Sequence, residues 1–183
     1  ACNLATALVE LHRFDEAVDV ATADRAEADP SLRLARLRAY ALQQAERFAE
    51  AADAYRVVVT REPHDWESWN NLGNALAAGG LSGDAATALR RAIELAPDVP
   101  PVHLNLARAL VDAGAPEQAE AALAAAAARF PDDEHFPLEL FALHKRQGRD
   151  EAALAALERA ATLRPHDASL QVDLGREYLP HLR

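Results

Sequence analysis

Residues 66–99 read WESWNNLGNALAAGGLSGDAATALRRAIELAPDV, and the chain repeats this 34-residue stretch in degenerate form from end to end. Pro63, Pro97, Pro131 and Pro165 stand 34 residues apart, as do Gly80, Gly114 and Gly148. Ala17, Ala51, Ala85, Ala119 and Ala153 keep the same spacing. A fixed period of this length is the mark of stacked repeats, each unit burying its apolar face on its neighbours.

Within the unit, Trp69, Leu72, Gly73 and Leu76 fall on one helical stripe. Ala85, Leu89 and Ala92 form a second stripe. Gly79 and Gly80 end the first helix, because glycine tolerates the left-handed conformation that follows a helix end. Ser82 is expected to cap the second helix, and Pro97 closes the unit because proline cannot continue one. Each unit is therefore an antiparallel helical hairpin. Small Gly73 and Ala85 let its helices approach, and Leu72, Leu76 and Leu89 fill the space between hairpins.

This pattern resembles the tetratricopeptide repeat family, through Trp69, Leu72, Gly73, Leu76, Ala85, Leu89, Ala92 and Pro97. Leu76 replaces the family's usual tyrosine. The next unit matches at Leu106, Ala107, Leu110, Ala119, Leu123, Ala126 and Pro131, and the following one at Leu140, Ala153, Leu157, Ala160 and Pro165. Departures fall at Phe141, where a small residue is expected, at Pro137 and His144, and at Arg38, where leucine is expected. The resemblance implies an all-α, right-handed superhelical solenoid of antiparallel helix pairs. It holds about five repeats, at 1–31, 32–65, 66–99, 100–133 and 134–167, and a terminal helix at 168–180. The reading in order is one domain, with Asp15 to Ala28 as the second helix of the first repeat and Pro30 one residue out of phase.

The chain has no methionine and opens in mid-helix, so it is expected to be a piece of a longer protein; a cleaved signal peptide would leave the same start. The terminal helix carries Leu170, Leu174 and Tyr178 in phase with no second helix after it. Its face is expected to meet further chain or a second copy, a homodimer through those three residues.

The formal charge is −10 over 183 residues, which argues against nucleic acid as a partner. The single cysteine, Cys2, leaves no internal disulfide and suits a reducing compartment; a bacterial, cytoplasmic setting is expected. No apolar run approaches the roughly 20 residues that span a membrane. The seven histidines lack ligand spacing, so no metal is expected; His144 is read as a packed core histidine. Gly79, Gly80 and Gly83 match no phosphate-binding fingerprint. Asp15, Glu16, Asp150 and Glu151 open second helices, where they complement the helix dipole. The segment is read as non-enzymatic, without catalytic residues or cofactors.

In the family, first helices line a concave groove. By that phase the groove residues are Arg33, Arg36 and Tyr40, then Glu67, Asn70, Asn71 and Asn74. Asn105, Arg108 and Asp112 follow, then His135, Glu139, Lys145 and Arg146, and last Asp173 and Arg176. Six cations against four carboxylates make this face less acidic than the whole and favour a neutral or acidic peptide. Asn71 and Asn105 hold one phase, and the run Asn71-Leu72-Gly73-Asn74 looks like repeats of O-linked N-acetylglucosamine transferase arms, whose asparagine ladder grips peptide backbone. Leu37, Glu139 and Asp173 break the ladder here. A carboxylate clamp of the kind some family members use would put its cations on His135 and Glu139, and is rejected. The reading is an interaction scaffold that binds a partner protein or peptide in its groove. The alternatives are a substrate-recognition arm of a larger enzyme, of glycosyltransferase or sulfotransferase type, and a self-associating structural solenoid.

Overall fold

The structure, a computed structural model, describes residues 1–178. Among these, twelve helices follow one another and no strand occurs. First helices are α1 (Cys2–Glu10), α4 (Arg33–Gln44), α6 (Trp66–Ala78), α8 (Pro100–Asp112), α10 (His135–Arg146) and α12 (Ala168–Tyr178). Second helices are α5 (Phe48–Arg61), α7 (Ser82–Leu95), α9 (Pro116–Arg129) and α11 (Asp150–Leu163), with α2 (Phe14–Val20) and α3 (Ala23–Ala28) sharing that role in the first repeat. The chain falls into two compact units, Ala1–Asn105 and Leu106–Arg183. The expected end of the terminal helix at residue 180 lies outside the described residues.

The period is visible in the packing. Ala17, Ala51, Ala85, Ala119 and Ala153 are each fully buried. In the third repeat the hairpin closes on Gly73, where an added Cβ would lie 2.5 Å from Leu89 Cγ. The turn inside every hairpin is one motif. The residue at phase 80 is left-handed, and two backbone bonds close around it. In the third repeat these run from Gly80 N–H to the Ala77 carbonyl at 3.0 Å and from Leu81 N–H to the Leu76 carbonyl at 2.8 Å. The paired bonds satisfy carbonyls that a helix end would otherwise leave open. Gly80, Gly114 and Gly148 suit the position, but His12 (φ 57°) and Glu46 (φ 58°) adopt it too. The turn 45–47, which lacks glycine, is thus built like the others.

Two local expectations are corrected, and the departures at Arg38 and in α10 find their physical reason. Ser82 does not cap α7: the N-cap is Leu81, with no side-chain bond, because the turn already fixes the backbone there. The helix expected over 15–28 breaks after Val20 and resumes at Ala23. Asp24 explains the break. It falls in the phase of Val58, Ala92, Ala126 and Ala160, all buried to within one per cent, and an unpaired carboxylate there is costly. The kink turns Asp24 out and seats Ala26 in the core instead. Arg38, in place of a leucine, answers the break: one guanidinium nitrogen donates to the freed carbonyls of Val18 (3.1 Å) and Ala21 (2.8 Å). Last, α10 buries Phe136, Pro137, Leu143 and His144 and leaves Leu140 and Phe141 half-buried. Phe136 stacks on Phe130 with centroids 5.6 Å apart, and His144 Nδ1 accepts from Arg149 at 2.6 Å.

Candidate functional site

In the first unit, three asparagine side chains join into a relay. Asn105 Nδ2 donates to Asn70 Oδ1 at 3.1 Å, and Asn70 Nδ2 donates to Asn71 Oδ1 at 3.4 Å. All three residues are half-buried. A carboxamide offers two N–H donors and one acceptor oxygen. The relay therefore presents free donors at the Asn71 end and a free acceptor oxygen at the Asn105 end. A peptide group offers the complement, a carbonyl and an N–H. Asn74, one turn along α6 from Asn70, is half-buried and makes no side-chain bond among the described residues. Phase alone pairs Asn71 with Asn105; the residue that connects them is Asn70, which shares its phase with Arg36.

The charged residues expected on this face are mostly engaged. Arg36 donates to Asp65 Oδ2 from Nε at 3.2 Å and from a terminal nitrogen at 2.9 Å, and also pairs with Glu62. Asp65 in turn caps α6, accepting from Ser68 N–H at 3.2 Å and Ser68 Oγ at 2.7 Å. Burial opposes the Asp65 charge, but the bonds from Ser68 and Arg36 outweigh it and hold the carboxyl below its ordinary value. Arg36 thus ties α4 to the start of α6. Arg108 is paired with Glu139. Lys145 reaches Asp150 at 2.9 Å and Glu177 at 3.0 Å, and its ammonium is raised by the bond to Asp150 first and then by that to Glu177. Arg176 pairs with Asp173 at 3.3 Å. Arg33 and Arg146 are exposed, and their guanidinium groups have no partner among the described residues. The cationic excess counted along the sequence is therefore much reduced by pairing, because the partners come from turns and neighbouring helices. Tyr40 is 43% exposed and meets the edge of Phe14, centroids 6.4 Å apart.

The second unit holds a cavity of about 280 Å3 between α8 and α10, closed beneath by α9. Ala107, Val111, Leu123, Ala142 and Leu143 supply its apolar lining. Arg108, Glu139, Asp112 and Arg146 stand around it. No single residue in the sequence announces the cavity. The signal that could have found it is Ala142, a small side chain in the phase of Tyr40, Asn74 and Arg108.

Two other features are accounted for locally. Asp133, Glu134 and His135 bring ligand atoms close together. Asp133 accepts from the His135 backbone at 3.0 Å and lies 2.8 Å from its ring, and Glu134 pairs with Arg164 at 2.6 Å. On α12, Leu170 is buried, Leu174 half-buried, and the Tyr178 hydroxyl bonds to Glu158. The face expected to form a homodimer is therefore largely covered, with part of Tyr178 left exposed, whereas the exposed Val172 lies on the other side of α12. No described helix is long and apolar enough to cross a membrane.

Comparison with known proteins agrees on the architecture. Two tetratricopeptide repeat models match, one at residues 2–60 and 36–100 and another at 82–136. No curated protein matches at the sequence level. Among solved structures, YrrB, described as a TPR protein with an unusual peptide-binding site, aligns with TM-score 0.73 and 19% identity, covering 95% of this chain and 89% of its own. TTC0263, a thermophilic TPR protein of Thermus thermophilus, aligns with TM-score 0.62 and 23% identity, over 97% and 96%. MamA of Desulfovibrio magneticus RS-1 aligns with TM-score 0.67 and 20% identity, over 84% and 86%.

Proposed function

The chain belongs to the tetratricopeptide repeat family, and on that premise we propose that it is an interaction scaffold that holds an extended peptide or protein segment against its first helices. The amide relay of Asn105, Asn70 and Asn71 carries the reading. A relay with an acceptor at one end and donors at the other matches the backbone of an extended chain and reads no side chain. Its members are already bonded to one another, so little is lost in ordering them when a ligand arrives. YrrB, of similar fold, is described as having a peptide-binding site, which agrees with this use of the architecture.

The partner is neutral overall, with acidic residues favoured where Arg33 and Arg146 stand unpaired. Arg36, Arg108 and Lys145 act within the fold and hold helices in place. The test is an array of acetylated, amidated twelve-residue random peptides. The protein is expected to retain a subset, and Asn70→Ala with Asn105→Ala to weaken retention at least about ten-fold, the scale of one to two lost hydrogen bonds, without moving the melting curve. Unchanged retention in that double variant would overturn the relay's role. Asn71→Ala alone removes only the donor end and is expected to do less.

A further inference from the structure

We propose that the cavity between α8 and α10 seats one aliphatic side chain of the bound peptide, with an acidic side chain two residues along paired to Arg146. This rests on the peptide-binding reading above and adds what that reading lacks, a preference for particular side chains.

The lining argues for an aliphatic occupant. Ala107, Leu123 and Leu143 are buried beneath the cavity, and Ala142 leaves open the space that tyrosine, asparagine or arginine takes at the same phase of earlier repeats. At about 280 Å3 it exceeds the roughly 150 Å3 apolar cavity that admits benzene, so leucine or isoleucine fits. An aliphatic group placed there leaves water for apolar surface, a gain that scales with the area covered.

The rim argues for what stands beside it. Arg108 and Glu139 satisfy each other, and neither charge calls for a ligand. Arg146 has no partner among the described residues and lies one turn beyond Ala142 on α10. Four residues of helix rise about 6 Å. Two residues of an extended chain advance about 6.7 Å and point to the same side. A peptide that drops an aliphatic side chain over Ala142 therefore brings the second side chain beyond it to Arg146, and a carboxylate there gains a charge-assisted bond. Asp112, also exposed and unpaired, disfavours a carboxylate on the α8 side and can accept a peptide N–H.

The experiment takes fluorescein-labelled twelve-residue peptides retained on the array and varies two positions, leucine to alanine and the glutamate two residues on to lysine. Anisotropy titrations are run against the wild type, Ala142→Leu, Ala142→Ser and Arg146→Gln. Each substitution is at an exposed helix position, so the folds should melt alike. For the wild type and Ala142→Ser, each peptide change is expected to weaken binding about ten-fold or more, in line with the loss of a few methylenes or of one charged bond. Ala142→Leu fills the cavity and should erase the leucine dependence alone. Arg146→Gln should erase the glutamate dependence alone. A leucine dependence that survives Ala142→Leu unchanged overturns the cavity proposal. If binding also falls in the Asn70, Asn105 double variant, the amide reading stands without the cavity; if binding answers only to Ala142→Leu, the cavity stands without the relay. No retention of any peptide overturns both.

Discussion

The second helix of the third repeat runs unbroken for fourteen residues, whereas that of the first breaks after seven. Both belong to the same repeat pattern, and both bury the alanine at phase 85 completely. They part where the first repeat carries Asp24 against the third repeat's Ala92, and where the helix that follows carries Arg38 at the phase that is Leu72 and Leu106 in later repeats. A carboxylate cannot lie in a dry interface without a partner, so the helix gives way and exposes backbone carbonyls. Arg38 then supplies what those carbonyls lack. A residue foreign to the pattern is tolerated because a second foreign residue has opened a need for it.

The sharpest way to break this comparison is to place the foreign residue where the helix is whole. Leu72 is 4% exposed, and Leu72→Arg would bury a guanidinium with no freed carbonyl to meet it. The expected loss in a urea melt is about 3 kcal/mol or more. A near-neutral result would mean that any repeat here can kink to accept an arginine. The hairpin interior is the next test. Gly73→Ala puts a Cβ 2.5 Å from Leu89 Cγ and is expected to cost about 1–3 kcal/mol, as is Ala85→Leu across the same interface. Gly73→Ala with Leu89→Ala should recover part of the overpacking cost while losing the leucine's burial.

Arg38→Leu sharpens the comparison from the other side. It restores the family residue yet should destabilise by about 1–3 kcal/mol, because two carbonyls lose their donor. The companion variant Asp24→Ala removes the reason for the break. Arg38→Leu with Asp24→Ala is expected to cost less than Arg38→Leu alone, read as a coupling energy in a double-mutant cycle. Additive effects would detach the arginine from the break.

The helices were legible because the repeats present the same test of phase: the buried alanine recurs in all five and the closing proline in four, each 34 residues on. Single departures such as Leu76 for tyrosine did not disturb it. The break in the first repeat was legible in principle, since Asp24 lies in an otherwise apolar phase, but only by aligning second helices as closely as first ones. The candidate site was harder to read. Phase says which residues share a face and nothing about what else reaches them. Arg36 meets Asp65 from a turn 29 residues on, and Arg108 meets Glu139 from the next repeat. Asn70 shares the face by phase, but its place between Asn71 and Asn105 depends on side-chain reach across two helices. A cavity is a missing side chain, and Ala142 reads as one only beside Tyr40, Asn74 and Arg108.

The smallest effect concerns the turns. Glu46 and His12 hold a left-handed conformation that glycine holds at 80, 114 and 148. A side chain in that region costs about 1–2 kcal/mol, while glycine loses part of the advantage through its greater freedom when unfolded. Glu46→Gly is therefore expected to stabilise the protein by about 0.5–1 kcal/mol, and Gly80→Ala to destabilise it by a similar amount. Space does not enter, since a Cβ at Gly80 meets nothing within 4 Å; the backbone angle alone is at stake. Opposite signs for the two substitutions would show that the first repeats fold into the same turn as the later ones against their own residue preference. A loss at both positions would mean that Glu46 contributes something its torsion angle does not reveal.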